Sequence, residues 1–133
     1  MDKKILEYIK SMQLLSLAVR EDEEVYIANV FYAFDESNLA LIFSSYEESK
    51  HIQLAFLNPK IALSIAKEDK IALLKGLQAK ALFKEASKEQ EQIYYKKFPF
   101  ARLSHAKLYA LELFWAKFTD NTLMLDSKLE FKR

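Results

Sequence analysis

What most limits the fold of this chain is a succession of stretches in which apolar residues recur at every second position. Leu15, Leu17 and Val19 alternate within Leu14–Val19, and the same period runs through Glu24–Phe34, Lys60–Lys67 and Lys107–Phe118. Successive side chains of a strand point to opposite faces, so each stretch reads as a strand with one buried side. Further strands are expected at Leu39–Phe43, at Ile71–Lys84 and at Leu123–Arg133. Arg20-Glu21-Asp22-Glu23, Asp35-Glu36-Ser37-Asn38, Glu68-Asp69-Lys70 and Thr119-Asp120-Asn121 have turn composition. Strands that follow one another through short turns, without regular strand–helix–strand alternation, predict an antiparallel barrel or sandwich with helices attached.

Three short helices are expected. Residues 2–12 place Ile5, Leu6, Ile9 and Met12 on one face, as a lid over one end of a sheet. A second helix opens near Ser45, where Ser45-Tyr46-Glu47-Glu48 fits a capping box, and stops at Asn58-Pro59. A third spans Ser87–Lys97, with Ser87 as N-cap and Gln90 three residues on. Phe98-Pro99-Phe100 ends it, and Ala101–Ala106, which holds His105, reads as loop or a short turn.

At 133 residues the chain has the size of one domain, 1–133. Its net charge of +1 is spread along the sequence. That argues against nucleic acid or a membrane surface as partner, since either favours a basic stripe. Met1–Lys10 lacks the unbroken apolar core of a signal peptide, and no run approaches the ~20 apolar residues of a membrane span. A cytoplasmic location is expected. Cysteine is absent, which removes disulfides and thiolate chemistry, and the two histidines are far apart in sequence, so no metal site is expected. With one glycine, Gly76, a glycine-rich phosphate loop is impossible. Gly76 inside a strand suggests a bulge or a close backbone approach.

Candidate ligand-binding residues cluster in Phe43–Leu57, FSSYEESKHIQLAFL. Ser44 and Ser45 follow an apolar strand, and Ser49, Lys50 and His51 lie at the start of the helix. Free N–H groups at a helix start attract anions, and the lysine adds charge, so the segment reads as a phosphate seat. Capping alone also explains Ser45, and Glu47 and Glu48 count against an anion unless both point to water. Asn29 is the polar member of the face Val25, Ile27, Asn29, Phe31 and Ala33. It is either an edge amide meeting water or an amide aimed at a ligand. Ala62, Ser64 and Ala66 make a face of small residues against which a flat molecule, a second sheet or a second subunit would pack. On the last long strand, Tyr109, Leu111, Leu113, Trp115 and Lys117 are expected to share a face.

The order and spacing of four segments, ANVFYAFD at 28–35, LIFSSYEESKHIQLAFLNPKIALSI at 41–65, LLKGLQAKA at 73–81 and AKFTDNT at 116–122, resemble the FMN-binding split barrel of the pyridoxamine 5′-phosphate oxidase-like superfamily, in particular its small single-domain branch. The resemblance implies an antiparallel split β-barrel of six to seven strands, mainly β, with about three short helices. It implies a homodimer with FMN at the subunit interface and an oxidoreductase acting on a small molecule. The implied cofactor-binding residues are Asn29, Val30 and Phe31 along the ring, Ser44, Ser45, Ser49, Lys50 and His51 at the phosphate, Gln78 on the strand bordering the ring, and Lys128 near the cofactor. Trp115 lies in the stretch where pyridoxamine oxidases carry a flavin-adjacent tryptophan. Positions 26–33 carry no Arg or Lys where full pyridoxamine oxidases have a basic pair, so pyridoxal phosphate synthesis is not implied. Two alternatives stay open. One is a non-catalytic flavin- or haem-binding dimeric module, with His51 or His105 as the available iron ligands. The other is a cofactor-free structural homologue.

Overall fold

The computed structural model describes residues 1–122 and 128–133. The elements are α1 (Lys3–Ser11), β1 (Leu14–Glu21), β2 (Glu24–Asp35), β3 (Ala40–Ser45), α2 (Lys50–Leu57), β4 (Lys60–Ala66), β5 (Lys75–Glu85), α3 (Lys88–Lys97), β6 (Lys107–Asp120) and β7 (Lys128–Lys132), with short 3₁₀ turns at Ile71–Leu73 and Pro99–Leu103. Every strand pairing is antiparallel, in the order β3-β2-β1-β4-β5-β6-β7. A further pairing of β3 with β6 closes the first six strands into a ring, and β7 hangs from it. This is the predicted split barrel.

β6 makes the closure possible. One edge runs along the whole of β5. The other is shared: Lys107–Glu112 pairs with β3, and Trp115–Thr119 pairs with β7. At the changeover the register with β5 shifts, since Lys80 faces Trp115 while Ala81 faces Leu113, and Phe114 is the extra residue of a bulge. Before it Tyr109, Leu111 and Leu113 point inward; after it Ala116, Phe118 and Asp120 do. The expected common face of Tyr109 through Lys117 is thereby corrected. Trp115 and Lys117 lie on the outer side because the bulge resets the alternation.

The barrel interior is filled by the inward rows that the sequence marked: Leu15, Leu17 and Val19 from β1, Ile61, Leu63 and Ile65 from β4, and Leu77, Ala79, Ala81 and Phe83 from β5. α1 closes one end. Ile5 and Ile9 are fully buried there, and the Tyr32 hydroxyl donates to the Ile9 carbonyl at 2.7 Å. Asp2 caps α1 by accepting from the Lys4 amide at 2.7 Å. α2 adds Ile52 and Ala55 to the same core. α3 lies outside the barrel over a second cluster that includes Ala33, Ala40, Ile42, Tyr94, Leu108 and Ala110.

α3 starts as its sequence requires. The Ser87 side chain accepts from the Gln90 amide and the Gln90 side chain returns to the Ser87 amide, a complete capping box. Gln90 also donates through Nε2 to Asp35 Oδ2 at 3.0 Å, and Asn38 Nδ2 donates to the same oxygen at 2.8 Å. Asp35 and Gln90 are buried, so this network fastens the β2–β3 turn to α3.

Four local expectations are corrected. Ser45 does not cap α2: it ends β3, opposite Lys107, and Ser49 precedes the helix without a side-chain capping bond. Ladder pairing at Ser44 and Ser45 outcompetes the local capping pattern. Arg20 and Glu21 continue β1, which leaves Asp22 and Glu23 to turn, and Asp22 adopts the left-handed conformation that aspartate tolerates (φ 53°). Ile71–Leu73 is a 3₁₀ turn outside β5. Gly76 sits in regular pairing with Ala66 and Thr119, and a Cβ there would meet nothing nearer than the Ile65 carbonyl at 3.9 Å, so neither bulge nor close approach requires it. Of the closing strand expected over Leu123–Arg133, Lys128–Lys132 forms β7 and residues 123–127 lie outside the described residues.

Candidate functional site

The outward side chains of the sheet form rows that cross the strands in register. One row is polar. Ser16 stands opposite both Asn29 and Ser64, Ser64 opposite Gln78, Gln78 opposite Lys117, and Lys117 opposite Glu130. It thus runs over β2, β1, β4, β5, β6 and β7. Within it the Ser16 hydroxyl donates to Asn29 Oδ1 at 2.6 Å, which leaves the Asn29 amide hydrogens to point elsewhere. The neighbouring row is small and flat in the middle: Ile27, Ala18, Ala62, Lys80, Trp115 and Lys132. Trp115 is fixed at its edge, donating Nε1–H to Glu130 Oε2 at 2.8 Å under Lys80, whose ammonium lies 5.3 Å from the ring centroid.

These rows line two adjoining grooves. One, of about 330 Å³, lies over Ser16, Ala18, Ala62, Ser64, Gln78 and Trp115. The other, of about 450 Å³, continues over Ala18 and Ala62 to Arg20, Val25, Lys60 and Phe114. Around them Val25 is 70% exposed, Ile27 67% and Phe31 52%. A grouped apolar surface rimmed by polar side chains is the usual mark of a binding or association face.

The structure gathers part of the predicted site onto this face. Asn29, Phe31 and Gln78 are there, and Lys128 joins them through its pairing with Thr119, which pairs with Gly76. Val30 is a core residue, so only its backbone is available at the β2 edge, which β3 covers from Tyr32 onward and not before. The remaining residues lie around the start of α2. The Ser45 hydroxyl and His51 Nε2 share a hydrogen bond of 2.8 Å. Lys50 Nζ is 2.6 Å from Glu21 Oε2 and 4.8 Å from the centroid of the Tyr26 ring. The hydrogen bond that the lysine donates to Glu21 holds its pKa above the ordinary value, and its charge is already matched. Ser44 follows Ile42 toward α3, whereas Ser45 follows Phe43 toward the barrel interior, so the two hydroxyls face opposite ways. Ser16, Ser64, Lys80 and Lys117 complete the outer face and were not singled out as ligand-binding. Each is the polar or charged position of an alternating strand, but their alignment depends on a cross-strand register that one sequence does not display.

His51 is half-buried, and burial pushes its imidazole below the ordinary histidine value of 6.5. A base that protonates less readily when folded makes the unfolded chain bind more protons, so stability falls as pH drops through 6.5 toward the folded value. Urea melts between pH 7.5 and 5 are expected to show a loss on acidification that His51→Gln reduces. An unchanged pH profile in that variant would contradict this placement.

Among the described residues, no group of three or more His, Cys, Asp or Glu side chains is arranged to hold a metal ion, and no helix is long and apolar enough to cross a membrane.

No protein-family model matches the chain. A UPF0306 protein of Campylobacter jejuni is 63% identical over 132 residues, covering 98% of each chain. The chain belongs to the UPF0306 family. A UPF0306 protein of Yersinia pestis is 31% identical over 134 residues, covering 97% of this chain and 91% of that one. Among solved structures, a FAD-binding protein from Mesorhizobium loti matches with a TM-score of 0.73 at 13% identity, over 86% of this chain and 89% of that one. A heme-binding protein from Mycobacterium smegmatis matches with a TM-score of 0.76 at 10% identity; this UPF0306 chain is covered over 92% and spans about half of that protein, 53%. Campylobacter jejuni ChuZ matches with a TM-score of 0.76 at 16% identity, over 98% and 58% of the two chains. At these identities the likeness establishes the split-barrel fold.

Proposed function

We propose that this UPF0306 protein binds a flavin, with FMN the preferred form, on the outer face of the sheet between two copies of the chain, and acts as an oxidoreductase on a small molecule. The observation that carries the reading is the Asn29–Ser16–Ser64–Gln78 row beside the Ala18–Ala62 floor. A flavin ring needs a flat apolar bed and hydrogen-bond partners along one edge, and this face offers both. The fold neighbours described as FAD-binding and heme-binding support a flat cofactor in this fold. Among the described residues, those lining the two grooves include no His, Cys, Met or Tyr, the usual haem ligands, which favours flavin over haem.

In this reading Ser64 and Gln78 offer hydrogen bonds to the ring edge, while Ser16 orients the Asn29 amide. Ala18 and Ala62 keep the bed flat. A second copy, drawn on by Val25, Ile27 and Phe31, excludes water from the far side of the ring. Bound flavin would supply hydride exchange; no acid–base pair on the outer face is required for it.

Freshly purified protein is expected to retain flavin absorption bands after incubation with FMN and dialysis. Ser64→Leu, which inserts bulk into the bed on an exposed strand face, is expected to weaken retention at least about tenfold. A colourless wild-type protein that releases all added FMN would sink the proposal.

A further inference from the structure

The flavin reading leaves open where the phosphate sits. We infer that the terminal phosphate of the flat ligand is held at the Arg20–Lys60–Lys80 corner of the outer face; this rests on the flavin reading and adds an anchor to it. The two grooves adjoin, sharing Ala18, Ala62 and Lys80 in their linings. A ligand whose ring edge meets Ser64 and Gln78 therefore extends along β4 toward Lys60. Four steps of strand separate Ser64 from Lys60, about 13 Å, room for a ring body and a short chain ending in an anion.

The charges at that end are arranged for an anion. Arg20, Lys60 and Lys80 all line the larger groove, and among the described residues no carboxylate lines either groove. Among the described residues none of the three cations takes part in an ion pair, whereas Lys50 is held by Glu21 and Lys107 by Glu47. Glu21 and Glu24, the acids adjoining Arg20 and its partner Val25, pair with each other and by strand alternation project to the opposite face. The apolar floor beneath the cations, Val25, Ala62 and Phe114, lowers the local dielectric and strengthens their pull on an anion compared with open water.

Equilibrium dialysis with FMN and with riboflavin, which lacks the phosphate, tests the assignment. The variant is Arg20→Gln/Lys60→Gln/Lys80→Gln, all at exposed positions, with folding checked by circular dichroism. The expected result is FMN binding weakened by about tenfold, the product of three modest exposed charge interactions, with riboflavin binding unchanged. Unchanged FMN binding, or riboflavin weakened in parallel, overturns the assignment. If FMN binding is instead lost in Ser45→Ala/Lys50→Ala, the phosphate lies at the start of α2 and the flavin reading survives. Wild-type protein that binds neither compound overturns both.

Discussion

Ala116→Lys is expected to leave little folded protein, whereas Lys117→Ala, one position on, is expected to cost less than about 0.5 kcal/mol. The contrast follows from the bulge at Phe114. Ala116 is fully buried between Leu113 and Phe118 on the inner row, and it stands opposite Ala79 of β5 and Phe131 of β7. Among the described residues a lysine there has no carboxylate opposite it, and it has no volume to enter. Burying an unpaired charge and overpacking a closed barrel together cost several kcal/mol, against a total stability of about 5–15 kcal/mol for a domain. Lys117 belongs to the outer face, where its truncation removes only partly exposed methylenes. Had the alternation continued unbroken from Tyr109, the two outcomes would be exchanged. Thermal melts of both variants decide the matter: a well-folded Ala116→Lys protein would contradict the register of β6.

Asp35→Ala is expected to destabilise the protein by about 3 kcal/mol. The carboxylate accepts from Gln90 Nε2, Asn38 Nδ2 and the Asn38 amide, and the first two bonds meet at one oxygen. Its removal leaves a buried amide of Gln90 without its acceptor, and the penalty for a stranded buried donor exceeds the net gain of the bond itself. It also releases the β2–β3 turn from α3. Gln90→Ala is expected to cost a similar amount, because it breaks the capping box as well. Since both substitutions remove the same contact, the double variant is expected to cost clearly less than their sum. Strict additivity in urea melts would show that the two side chains act independently.

Much of the fold was legible because burial follows the strand period. Leu15-Leu17-Val19 and Ile61-Leu63-Ile65 are buried as alternation demands. Ser87 and Gln90 form the expected capping box because the Gln90 amide oxygen serves the cap while its nitrogen bonds Asp35. The same logic failed at Ser45, where pairing with Lys107 across the barrel closure won over a local capping pattern. It failed at Trp115 because the extra residue, Phe114, is apolar in a stretch that already reads as strand in either phase. Alternation alone does not mark where the phase changes. The site was legible in part. Asn29 and Gln78 stood out as polar residues in apolar strands, and the small face of β4 pointed to a flat molecule, a second sheet or a second subunit. Their alignment with Ser16, Lys80 and Lys117 depends on which strands pair and in what register. Lys50 carried the expected positive charge for a phosphate, but its partner Glu21 lies at the end of β1, and that pairing was hidden from sequence.

Trp115, the sole tryptophan, borders the smaller groove and gives the most direct test of the flavin proposal. Its emission should be followed while FMN is titrated into the protein, with Ser64→Leu as control. The account predicts saturable quenching in the wild-type chain, with Ser64→Leu requiring at least about tenfold more FMN. Emission that declines only in proportion to inner-filter absorption, alike in both proteins, would contradict a flavin on this face.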